Sequence, residues 1–412
     1  MKEVYIIGAG MNKFGKHTND TVKTMATEVI QEALEDAGLK KEALEAGYFA
    51  NTFWGMFDNQ HSIRAQVVFR GMGIDKIPVV NVENACAGAS TAMHLAYTAI
   101  MAGQVDVAIA VGSEKITNPD KAKSLSAYAS CMEVDNLDGT LEALMQYGQN
   151  LKIKLPEDED APGTGRSVFM DVYAMMARWH MSKYGTTQEQ LAAVSAKNHY
   201  HSSLNPKAQY QKDMSIDEVM NDAKVTYPLT RSMCAPVGDG AAAVILCSGE
   251  YLKKHKLERA VKIRASVLCQ GSDRDLDGED LGERLAKKAY AVAGLTPDDI
   301  DVAELHDATA YGELHQCESM GFCPPGKGGE YALSGATRLG GAKPINTSGG
   351  LEGRGHPIGA SGLAQIYELV LQLRGEAGER QVKGAKYALA ENGGGSIGVE
   401  ESTMCIHILE KV

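Results

Sequence analysis

The sequence predicts an α/β fold built from two similar halves, and three observations point to it. In the first half, Val4 to Ile7, the amphipathic Thr24 to Ala37, Val79 to Val82, the helical Thr91 to Met101, Val105 to Val111 and Ala241 to Leu246 alternate strand and helix signals. That alternation implies a mostly parallel sheet covered on both faces. In the second half, Val261 to Leu268, the helical Leu281 to Ala293, Val302 to Leu305, a helix after Asp307, the helical Ser361 to Leu373, Tyr387 to Ala390 and Met404 to Leu409 follow a similar order. Residues from about 113 to 225 interrupt the first half with the acidic run Pro156-Glu157-Asp158-Glu159-Asp160, read as a solvated loop, and the helical stretches Val172 to Tyr184 and Gln188 to Asn198. The expected division is 1–250 and 251–412, with the insertion inside the first half.

Composition bounds the function. The chain has 412 residues, 44% apolar and 23% charged, enough to bury more than one core. Its net charge of −12 disfavours nonspecific nucleic-acid binding, although a local basic patch for a phosphate-bearing ligand stays open. The segment Met1 to Gly8 reads as a short strand rather than a signal peptide, and no apolar run is long enough to span a membrane. Cysteines 86, 131, 234, 247, 269, 317, 323 and 405 form no CxxC pair and no metal-ligand spacing. Free thiols in the reducing cytoplasm are the expectation.

The most informative cysteine is Cys86. Asn84-Ala85-Cys86-Ala87-Gly88-Ala89-Ser90 follows the apolar run Ile77 to Val82 and opens a helix, so the thiol stands at a strand-to-helix elbow. Unpaired N–H groups and the positive end of the macrodipole favour a thiolate there, with a pKa lowered from about 8.5 to roughly 3.5–7.5. The competing reading is a small buried thiol in a packed turn. Far downstream, Ile345-Asn346-Thr347-Ser348-Gly349-Gly350 leads through Arg354 to Gly355-His356-Pro357, a second strand-loop-helix corner. A lone loop histidine is usually structural, but paired with Cys86 it becomes the base half of a Cys/His couple.

Two further segments read as site walls. Glu304-Leu305-His306-Asp307 ends an apolar run and precedes a helix, where α/β folds place chemistry; Asp307 is alternatively a simple N-cap. Glu391-Asn392-Gly393-Gly394-Gly395-Ser396-Ile397-Gly398 reads as a glycine turn whose amides bind an oxyanion, or as a plain hairpin.

Together with Tyr227-Pro228-Leu229-Thr230 and Asp239-Gly240-Ala241-Ala242-Ala243, these motifs resemble the thiolase superfamily, from Met1 to Val412. Within it the sterol-carrier-protein type and its bacterial and archaeal relatives are most similar. The resemblance implies a five-layered α/β/α/β/α core, with the insertion as a loop domain over an acyl-CoA pocket. It also implies an acyltransferase that uses coenzyme A as co-substrate with no covalently bound cofactor or metal. Cys86 would attack the 3-oxo carbonyl of a 3-oxoacyl-CoA and become acylated, and a second CoA would take the acyl group. His356 would lower the thiol pKa, and His306 would complete the enolate oxyanion hole. The Cys86 N–H with the amides of Gly394 and Gly395 would form the second hole. A homodimer or higher oligomer is implied, as is a small zinc-ribbon/OB-fold partner subunit, and benzoylsuccinyl-CoA is one specific substrate.

The chain departs from the family in one respect. The second, acid/base cysteine is absent from both usual places, which hold Ala308 and Glu391 or Asn392. Candidates to move the α-proton are His306, Glu313, which shares a helical face with Cys317, and Glu391. Three other functions fit part of the pattern. The first is the reverse Claisen condensation, and the second is a non-catalytic acyl-CoA or lipid-binding homologue, against which Cys86 and His356 argue. The third is a dinucleotide enzyme suggested by Gly8-Ala9-Gly10, which fails because Lys13 stands where the fingerprint needs glycine.

Overall fold

Gly8 and Gly10 let the first strand lie directly on its covering helix. An ideal Cβ at either position would come 2.3 Å from a helix carbonyl, that of Ala33 or Val29. The Gly-Ala-Gly run is therefore a packed strand, β1 (Val4–Met11), and not a phosphate-binding loop. The helix over it, Val22–Ala37, starts at a Thr21/Thr24 capping box and stops at Gly38 in the left-handed region. The structure, a computed structural model, describes residues 2–151, 153–160, 162 and 164–412.

The remaining strands are β2 (Ala46–Ala50), β3 (Val79–Val82), β4 (Val107–Glu114), the short pair β5 (Lys224–Thr226) and β6 (Leu229–Thr230), β7 (Gly240–Ser248), β8 (Val261–Gln270), β9 (Val302–Glu304), β10 (Tyr387–Ile397) and β11 (Glu400–Lys411). Nine of them form one sheet in the order β3-β2-β4-β7-β1-β8-β11-β10-β9. β1 and β8 join through Tyr5↔Lys262 and Ile6↔Val261. Outward from that seam the two arms repeat one plan. The last strand of each half, β7 or β11, runs antiparallel beside the first, and the next two strands out are parallel to each other. A parallel bridge from Ala303 to Ile345 supplies the outermost position of the second arm, as β3 does in the first. The sheet is mixed rather than mostly parallel, because β7 and β11 return antiparallel between their neighbours.

Three cores make five layers. Helices Gly88–Met101 and Ser361–Arg374 lie at the centre, burying Ala92, Met93 and Ala96 from one and Leu363, Ile366 and Leu369 from the other against both arms of the sheet. Helices Val22–Ala37 and Arg64–Gly71 cover the outer face of the first arm. Helix Leu281–Ala293 covers that of the second, with Cys317 and Met320 packed beside it. The two central helices start at the two chemically informative corners, which places Cys86 and His356 on the same level of the molecule.

The insertion between β4 and β7 holds the helices Val168–Tyr184 and Gln188–Ser203. Its acidic run is not merely solvated. Glu159 accepts from Thr226 Oγ1 at 2.6 Å and from the Tyr227 N–H at 3.1 Å, and Asp158 pairs with Lys224 at 2.6 Å. Among the described residues no helix is long and apolar enough to cross a membrane.

The expected glycine turn at 391–398 is instead the body of β10, which pairs with β11 from Tyr387↔Glu410 to Ile397↔Glu400 and reverses at Gly398. Glycine is required in this strand for space, not for a bend. A Cβ on Gly394 would lie 2.4 Å from Asn84 O and 2.6 Å from Ala87 N, inside the Cys86 turn. Gly394→Ala is accordingly expected to cost roughly 1–3 kcal/mol of stability through overpacking. It should also slow Cys86 alkylation, because the turn must yield. Chemical denaturation and iodoacetamide kinetics on the variant check both.

Candidate active site

Cys86 sits in a single 3₁₀ turn, Ala85–Ala87, between the end of β3 and the first residue of helix Gly88–Met101. Ala85 holds φ 46°, and the Glu83 carboxylate accepts its N–H at 2.7 Å. The elbow is therefore as expected, but the resting charge is not. Burial pushes the Cys86 thiol up to about 12, and the Gly395 and Cys86 N–H groups aimed at the sulfur offset this only in part. The expected low-pKa thiolate gives way to a protonated resting thiol, because loss of solvation outweighs the helix start and two amide dipoles.

His356 follows the short helix Gly350–Arg354 and Gly355 at φ 109°. Its Nε2 lies 3.3 Å from Cys86 Sγ and its Nδ1 2.7 Å from Ser361 Oγ. Ser361 donates its own hydroxyl to the Pro357 carbonyl at 3.0 Å, so it accepts from His356 Nδ1–H. Nε2 is then unprotonated and faces the thiol. Burial, with the nearby His306 and Arg354, holds the ring well below the usual histidine range. The couple at rest is a neutral thiol beside a neutral base, ready to transfer its proton when an acyl carbonyl arrives.

His306 completes the cluster. One ligating atom each from Cys86, His306 and His356 lie within 4.8 Å of one another, and the two rings meet edge to face at 5.3 Å. Asn392 Oδ1 accepts from Ser90 Oγ at 3.0 Å, so its amide nitrogen donates to His306 Nδ1 at 2.9 Å. His306 thus carries its proton on Nε2 as a neutral donor, and burial lowers its pKa to about 4. Its backbone N–H donates to Glu391 Oε2 at 2.8 Å.

Two sequence expectations change here. Asp307 is not the cap of helix Ala310–Ser319, which Thr309 caps. It accepts the N–H of Leu351 at 2.7 Å and Asn198 Nδ2 at 3.0 Å, tying the His306 corner to the His356 corner. Glu313 is not at the reactive cavity. It is fully buried, held by Lys197 Nζ at 2.6 Å, Asn198 Nδ2 at 2.9 Å and Asn346 Nδ2 at 2.7 Å, so its oxygens are engaged in structure. Helical spacing put it on one face with Cys317 but could not say which face meets substrate.

Cys86, His306, His356, Gly394 and Gly395 line one cavity of about 230 Å³. Its other walls are largely apolar, with Tyr128, Phe169, Met170, Tyr173, Val225 and Pro236 among them, mostly from the insertion. Sequence reasoning missed Ser361, Asn392 and Glu401. Ser361 and Asn392 act through histidines, and Glu401 is brought to the cavity only by the β10–β11 register, Ser396↔Glu401. Cys131 and Cys234 also line the cavity.

A thiol beside a neutral imidazole nitrogen, with backbone amides and a second histidine at the same cavity where the two halves of the α/β core meet, is an arrangement that can carry acyl transfer. Family models for the thiolase N-terminal domain and the thiolase C-terminal domain-like region match residues 4–250 and 272–411, and the chain belongs to the thiolase family and is an acyltransferase. It is 37% identical, over the full length of both chains, to an acetyl-CoA acetyltransferase of Methanothermobacter thermautotrophicus. To the benzoylsuccinyl-CoA thiolase subunit BbsB of Thauera aromatica it is 33% identical, covering 93% of this chain and 92% of that one. In solved structures the fold recurs in an Ltp2-ChsH2(DUF35) aldolase, with a TM-score of 0.76, 23% identity, and 99% and 98% of the two chains covered.

Two predictions follow from this geometry. Because the resting thiol is protonated, alkylation of Cys86 by iodoacetamide should rise steadily from pH 6 to 9 with no plateau below pH 7, and His356→Ala should slow it. A plateau at acid pH would mean a preformed thiolate. Glu313→Gln should leave alkylation unchanged but cost about 3–5 kcal/mol in denaturant unfolding, since it strands the Lys197 ammonium in the interior.

Proposed function

We propose that the enzyme catalyses thiolytic cleavage of a 3-oxoacyl-CoA through an acyl-Cys86 intermediate, with coenzyme A as co-substrate. The observation that supports this best is the 3.3 Å contact between Cys86 Sγ and an unprotonated His356 Nε2, inside a cavity also reached by His306 and the Gly395 amide. His356 takes the thiol proton as sulfur attacks the 3-oxo carbonyl. The Cys86 and Gly395 N–H groups hold the tetrahedral oxyanion, and removal of one such donor typically costs about 10²–10³ in turnover. The Cα–Cβ bond breaks, its electron pair goes into the enolate of the departing acyl-CoA, and His306 Nε2–H donates to the enolate oxygen. The thiol of a second CoA then receives the acyl group from Cys86.

An apolar wall with Tyr128, Phe169 and Tyr173 supports an aromatic or branched acyl group, of which benzoylsuccinyl-CoA, the substrate in the name of the Thauera relative, is one example. The word subunit in that name, and the two components of the Ltp2-ChsH2(DUF35) aldolase, support assembly with a small partner of zinc-ribbon/OB-fold type in addition to a homo-oligomer. Eight free thiols suit a reducing cytoplasm.

The decisive measurement is to incubate the protein with a 3-oxoacyl-CoA, quench, digest, and locate the acyl adduct by mass spectrometry. It should sit on the peptide bearing Cys86, and Cys86→Ser should lose turnover by roughly 10³-fold or more. Near-wild-type turnover in that variant would refute the reading.

A further inference from the structure

The cleavage leaves a carbanion that must gain a proton, and the next step needs a group to take one from the incoming thiol. No cysteine stands at 308, 391 or 392 to do it. Two acidic side chains flank one point of the cavity wall instead. Glu401 lines the cavity, as does Gly393 on the neighbouring strand. A Cβ at Gly393 would lie 3.0 Å from Glu401 Cγ and 3.7 Å from Glu391 Oε1, so both side chains converge on the notch that this glycine leaves. Glu391 spends one oxygen on the His306 N–H, while Oε1 is buried and without a hydrogen-bond partner among the described residues. An unsatisfied buried carboxylate oxygen is costly, but a protonated carboxyl beside a second carboxylate is not.

We propose that Glu401 and Glu391 form a proton-sharing carboxyl pair at the Gly393 notch that does the acid/base work of the missing thiol, with Glu401 facing the substrate and Glu391 sharing its proton. This deepens the acyl-transfer reading and rests on it. After C–C cleavage the pair gives its proton to Cα of the enolate, forming the new acyl-CoA and leaving the pair with one more negative charge. It then takes the proton of the CoA thiol. The CoA thiolate attacks acyl-Cys86, the C–S bond to Cys86 breaks, and the departing sulfur takes back the proton held on His356, so that the neutral thiol, the unprotonated imidazole and the protonated pair are all restored. Burial and the neighbouring Glu401 carboxylate raise Glu391 to about 8, and burial with the nearby Asp280 raises Glu401 above its ordinary range, which supports a retained proton. The charged groups that bear on the pair are His315, itself paired with Asp280 at 3.1 Å, together with Asp307 and Arg274. The other thiols at the cavity offer less. Cys234 donates to the Thr230 carbonyl at 3.4 Å, and burial raises both Cys234 and Cys131.

The test is exchange of the α-protons of acetyl-CoA with deuterated water, followed by mass spectrometry, in the full-length enzyme. Glu401→Gln should lose exchange by about 10²-fold or more, Glu401→Asp should keep a measurable part, and added formate should partly restore Glu401→Ala. Cys86 alkylation should stay within twofold of wild type in all three, which also reports an intact fold. In Glu391→Gln the loss of a like-charged neighbour should move the rising limb of the exchange pH profile to lower pH. Wild-type exchange in Glu401→Gln, an unmoved limb in Glu391→Gln, or loss only in Cys131→Ala would overturn the pair. If the wild-type enzyme does not acylate Cys86 at all, the acyl-transfer reading falls first. Acylation that proceeds without dependence of exchange on Glu401 refutes only the pair.

Discussion

The site depends on how closely two segments, far apart in sequence, are allowed to approach. β10, from the second arm of the sheet, runs across the Cys86 turn of the first with no side chain between them, because Gly394 would otherwise place a Cβ 2.4 Å from Asn84 O. Gly362, at the head of a central helix, does the same against Ser90 Oγ at 2.2 Å and Asn392 Oδ1 at 2.4 Å. These two contacts bring the Gly395 amide to the sulfur and let Asn392 reach both Ser90 and His306. A methyl group at either place would move the Gly395 amide away from the Cys86 sulfur. An interior packed at crystal-like density has nowhere to move the difference.

Buried charge then fixes the two histidine corners relative to each other. Glu304, at the end of β9, meets Arg354 at 3.2 Å, two residues from His306 and from His356 respectively. Asp307 reaches the Leu351 and Glu352 amides of the same loop. Such pairs contribute little net stability, since desolvation offsets most of the attraction, yet removing one partner is severe. Their effect here is geometric. They are satisfied only when the His306 and His356 loops are in register, and this holds the two rings at right angles over one sulfur.

Cys86, His306 and His356 were legible in the sequence because each sits at an element boundary that local residue types announce. The five-layered core was legible from the repeated order of elements together with the family resemblance. What failed has identifiable causes. Glycine clustering at 393–395 suggested a turn, but in this strand glycine serves close approach to a partner distant in sequence. Helical spacing points to Glu313 but cannot see its partners on two other segments, Lys197 and Asn198 on one helix and Asn346 in a loop. The helix start and His356 both point to an acidic thiol. The cost of burial depends on the lid that the insertion supplies, and no local motif reports it. Glu401 became visible only when the reversal at Gly398 fixed which residue of β11 lies beside the cavity.

The two arms of the sheet consequently divide the chemistry. The first supplies the Cys86 thiol and the amide at its own turn, and the insertion supplies most of the apolar walls. The second supplies both histidines, the Gly395 amide, and the two carboxyl side chains at Gly393. Placing base, acid and hydrogen-bond donors on one rigid hairpin-and-helix unit means that their mutual geometry survives small shifts between the arms. Only the distances from the sulfur to the imidazole and to the Gly395 amide are then sensitive to how the arms meet. Those distances are the ones the Gly394 and Gly362 contacts set, which explains why close approach, and not any single charged interaction, is the feature on which the reactive arrangement rests.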